Sequence, residues 1–95
     1  MGGKKLVERA RGLGLSDDGI KRFVEKITDF QEGAGFNYLR AKRHFVIELR
    51  DIDDWLNRWP FGNVEADARK QEADARVQRR EYLIYLHLLP GAFRR

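Results

Sequence analysis

Few side chains in this sequence have chemistry to offer. They are His44 and His87, the trio Asp51, Asp53 and Asp54, and a basic run of Arg40, Lys42 and Arg43. The histidines are far apart, and no serine or carboxylate is spaced with them as a triad. There is no cysteine, which removes both a disulfide framework and a thiolate zinc site and suits a reducing compartment. The three aspartates are the right type for a hard cation, but the start of a helix uses them as well: Asp51 as N-cap, Asp53 and Asp54 in the first turn. No catalytic residue, metal site or cofactor is expected, so the chain reads as a non-enzyme. What remains is charge. A net +4 and a pI near 9.7 allow a polyanionic partner without requiring one.

The elements that must position those charges follow from punctuation and periodicity. The 95 residues suit a single modest core, and 42% hydrophobic with 36% charged residues is an ordinary globular balance. The longest apolar run, Tyr82 to Leu89, is too short to span a bilayer. The basic start Met1–Lys5 has no apolar stretch behind it, so no signal peptide is expected and the reading is cytoplasmic. Glu32-Gly33-Ala34-Gly35 and Pro60-Phe61-Gly62-Asn63 divide the chain into three blocks.

In the first block Leu6, Val7 and Ala10 mark a short helix that ends in Gly12-Leu13-Gly14-Leu15. Ser16 is a good N-cap for a second helix whose apolar face is Ile20, Phe23, Val24, Ile27 and Phe30. The second block supports two readings. Tyr38, Phe45, Leu49, Ile52, Leu56 and Trp59 share one face of a single long helix. Phe45, Ile47 and Leu49, however, alternate as in a strand, and Asp51 looks like a fresh helix start. The second reading is the expected one: a β-hairpin over 36–40 and 43–49 turning at Ala41-Lys42, then a helix from Asp51 to Trp59. The third block opens with Asn63 as N-cap and runs as one helix from Val64 to Leu89, stopped by Pro90. It carries two apolar stripes, Ala66/Ala73/Val77/Ile84/Leu88 and Ala68/Ala75/Tyr82/Leu86/Leu89. Two such stripes ask for two neighbours, the chain's own core and a second copy.

Ala10, Gly14 and Ile20 stand as A-x3-G-x5-I, with Leu13, Leu15 and Phe23 as buried positions around them, the spacing a helix-turn-helix needs. Together with FNYLRAKRHFVIELRDIDDWL, this segment resembles the winged helix-turn-helix of phage excisionases and MerR-like regulators, over roughly residues 6–59. The resemblance implies a mainly α fold with a small β-hairpin wing, a winged helix-turn-helix followed by a long C-terminal helix. Residues 1–59 would be the DNA-binding domain, and 60–95 a turn plus a helix for packing and oligomerisation. It implies double-stranded DNA as partner, contacted by Lys21, Arg22 and Lys26 on the recognition helix and by Arg40, Lys42, Arg43 and His44 on the wing. The sequence departs from the family in its longer link to the wing, in a wing turn without glycine, and in Asp17 and Asp18 at the head of the recognition helix.

The alanine- and charge-rich last helix is similar in character to that of phage small terminase subunits. Val77, Ile84 and Leu88 are its oligomerisation candidates, for a dimer or ring. The competing expectation is an all-helical protein-interaction module with no nucleic-acid ligand, such as a phage or plasmid inhibitor of a host factor. The acidic head of the second helix and the single-helix reading of 36–59 support it.

Overall fold

The computed structural model describes residues 3–32, 35–58 and 66–92. In chain order they form α1 (Gly3–Gly12), α2 (Asp17–Thr28), β1 (Gln31–Glu32), β2 (Gly35–Phe36), α3 (Tyr38–Arg58) and α4 (Ala66–Ala92).

The turn between α1 and α2 is built as its glycines suggest. Gly14 takes φ +92°, a left-handed conformation that suits only glycine well. The Leu15 amide donates to the Ala10 carbonyl at 3.0 Å and the Gly14 amide to Arg11 at 3.0 Å, so the last carbonyls of α1 are satisfied. Ser16 then caps α2, its hydroxyl accepting from the Gly19 amide at 3.0 Å. Ala10, Leu15, Ile20 and Phe23 are buried, as their spacing requires, whereas Leu13 is 41% exposed at the turn.

The expected wing is absent. Residues 38–58 are one continuous helix, and the strand pairing seen among the described residues is the two-residue antiparallel match of Gln31–Glu32 with Gly35–Phe36, ahead of α3. The winged fold is therefore corrected to a helical one. Two physical terms decide it. Asn37 caps the helix, its side-chain oxygen accepting from the Arg40 amide at 3.0 Å. Ala41, Phe45, Leu49, Ile52 and Leu56 then hold helical spacing across sixteen residues on the inward face. The Phe45/Ile47/Leu49 alternation covers only five residues, and Ile47 is 50% exposed. Asp51, Asp53 and Asp54 lie within the helix and cap nothing; Asp53 instead accepts from Arg79 on α4 at 2.5 Å.

The long helix α4 runs against α3 for much of its length and meets α1 near its C-terminal end. The C-terminal parts of its two apolar stripes find neighbours inside one chain. Ile84, Leu88, Tyr82 and Leu89 all join the same core as Ala10, Phe23 and Phe45. The helix continues past the expected stop at Pro90 to Ala92. The expected cap at Asn63 and start at Val64 fall outside the described residues, as does Trp59.

At the centre of the core four rings from three helices converge. Phe23 and Tyr85 have centroids 5.2 Å apart, Phe45 and Tyr85 5.6 Å, Phe45 and Tyr82 5.8 Å. Such tilted contacts add to the burial of large apolar rings. The molecule is nonetheless long, 49 × 24 × 16 Å, with a radius of gyration of 15.2 Å. A compact chain of this length would have about 12 Å. The excess reflects the paired ends of α3 and α4, which extend away from the aromatic core.

Candidate interaction face

The seven residues expected to meet DNA fall into two groups. Arg22, Lys26 and His44 are committed to the protein's own fold. Arg22 donates to Glu81 of α4, with its terminal nitrogen 2.6 Å from Oε2 and its Nε 3.3 Å from Oε1. The partnership raises the Arg22 pKa, chiefly through that hydrogen bond. Lys26 places its ammonium 5.3 Å from the centroid of the Tyr82 ring, a cation–π contact. His44 sets Nε2 2.6 Å from Glu48 one turn on and packs its ring 5.2 Å from Phe30. Glu48 also accepts the Tyr82 hydroxyl hydrogen, so this carboxylate ties α3 to α4.

The second group, Lys21, Arg40, Lys42 and Arg43, is exposed. Lys21 stands on α2 among Asp17, Asp18 and Glu25, where no net positive field builds up. Arg11 donates to Asp17 at 3.1 Å, a fully solvated pair of little energetic consequence. The other three occupy the first turns of α3, joined by exposed Arg50 two turns later. On the same solvent side stand Leu39 at 74%, Ile47 at 50% and Val46 at 38% exposure. A helix face with three large apolar side chains among four cations is not a plain solvated surface, because single exposed apolars are ordinary and a grouped set marks contact. A shallow hollow between Asn37, Leu39, Arg40 and Arg43 opens at its N-terminal end.

The expected oligomerisation trio is divided. Ile84 and Leu88 are buried in the chain's own core at 9% and 0% exposure, and Val77 is 56% exposed beside the α1–α2 turn. Sequence reasoning passed over two carboxylates that organise the interior, Glu48 and Glu81. Glu48 had a local signal, its position four residues after His44. Glu81 had none, since its partner Arg22 is 59 residues away.

Burial of phenols is the other electrostatic feature. Desolvation pushes the Tyr85 hydroxyl up to about 12, with the charge of Glu81 acting in the same direction. The Tyr82 hydroxyl is raised further, by desolvation first and then by its hydrogen bond to Glu48. Both phenols serve as donors, Tyr85 to the Gly19 carbonyl at 3.4 Å and to Glu81 at 3.3 Å. Among the described residues no three His, Asp or Glu side chains gather as metal ligands, and no helix is long and apolar enough to cross a membrane. No family model, curated protein or solved structure matches this chain.

Proposed function

We propose that this chain is an all-helical protein-interaction module that docks through the outer face of α3. The observation that carries the reading is the exposed set Leu39, Val46 and Ile47 interleaved with Arg40, Lys42, Arg43 and Arg50. Apolar side chains supply the contact, and the cations around them select a partner surface that offers carboxylates. The state of α2 argues the same way. Its head carries Asp17 and Asp18, and two of its three cations are spent on Glu81 and Tyr82. A helix so arranged has little left to read a groove lined by phosphates.

A titration with duplex DNA across salt concentrations tests the reading against a nucleic-acid role. At about 0.15 M salt the module should show only non-specific association, weaker than about 10 μM. Sub-micromolar binding would overturn it, if its salt dependence became shallower in the Arg40→Ala/Lys42→Ala/Arg43→Ala variant. That result would return the basic turns of α3 to a DNA-binding role.

A further inference from the structure

We draw no further inference here: the strongest candidate, the surface patch of Leu39, Val46 and Ile47 among exposed cations on the outer face of α3, belongs to the face already described, and nothing in the structure shows what covers it.

Discussion

Gly19 shows how one residue can carry a contact between helices. It lies in the first turn of α2, where an added Cβ would come 2.6 Å from Leu15 Cδ1, 2.9 Å from Leu15 Cγ and 3.2 Å from Glu81. Leu15 is buried at 4% exposure and has little room to give. Alanine in place of glycine gains about 1 kcal/mol of helix propensity, and overpacking costs about 1–3 kcal/mol. Gly19→Ala is therefore expected to destabilise the fold by up to about 2 kcal/mol, read as a lower midpoint in urea. Gly12→Ala is the control. Nothing lies within 4 Å of its added Cβ and its φ is not positive, so it should be neutral or stabilising by about 0.5–1 kcal/mol. If both variants lost stability alike, close packing at Gly19 would not be the cause. The same site also positions Arg22, whose partner the spacing of α2 does not give. Whether Arg22 faces solvent or Glu81 depends on a helix 59 residues away, which no local spacing encodes.

At the scale of elements, the sequence marked α1, the Gly14 turn and α2 clearly, because capping and helix reversal are local chemistry. It left α3 ambiguous, because five residues of alternation compete with sixteen of helical spacing and both bury Phe45. Tertiary packing resolves the competition, since only the helix places Phe45, Leu49, Ile52 and Leu56 together against α4. The halves of α3 and α4 are unequal in support. The C-terminal half of α4 is enclosed by α1, α2 and α3, whereas Leu56 is buried outside the aromatic cluster, near Ile52 and Trp55. Local opening follows the density of buried apolar contacts. Amides of residues 70–78 should therefore exchange with deuterium well before those of residues 82–89. Equal protection along α4 would contradict this division.

At the scale of the whole molecule, the buried phenols couple stability to alkaline pH. The unfolded chain releases tyrosine protons near pH 10, whereas the folded chain holds the Tyr85 proton to about 12 and the Tyr82 proton higher still. Between those values the folded state binds more protons than the unfolded one, so stability falls as pH rises. The contribution is complete below about pH 10 and disappears as pH climbs through the folded-state values. The urea midpoint should thus drop between about pH 9 and about pH 11, and Tyr85→Phe should show a smaller drop than the wild type. An identical drop in that variant would assign the pH dependence elsewhere. The elongated shape belongs to this scale too. A molecule 49 Å long and 16 Å thick has a large surface for its core, and the outer face of α3 is part of the surplus.

The sequence by itself determined the things that short-range chemistry decides. These are the glycine turn, the Ser16 cap, the apolar faces of α2 and α4, and the basic cluster at 40–43. Only the tertiary structure decided which of those features are used inward. It turned a supposed wing into a helix because one inward face had to match α4 over several turns. It buried the C-terminal parts of both α4 stripes within one chain, Ile84 and Leu88 among them. It also spent Arg22, Lys26 and His44 on internal partners. Four cations and three large apolar side chains of α3 are exposed, because burial is settled by contacts between distant segments.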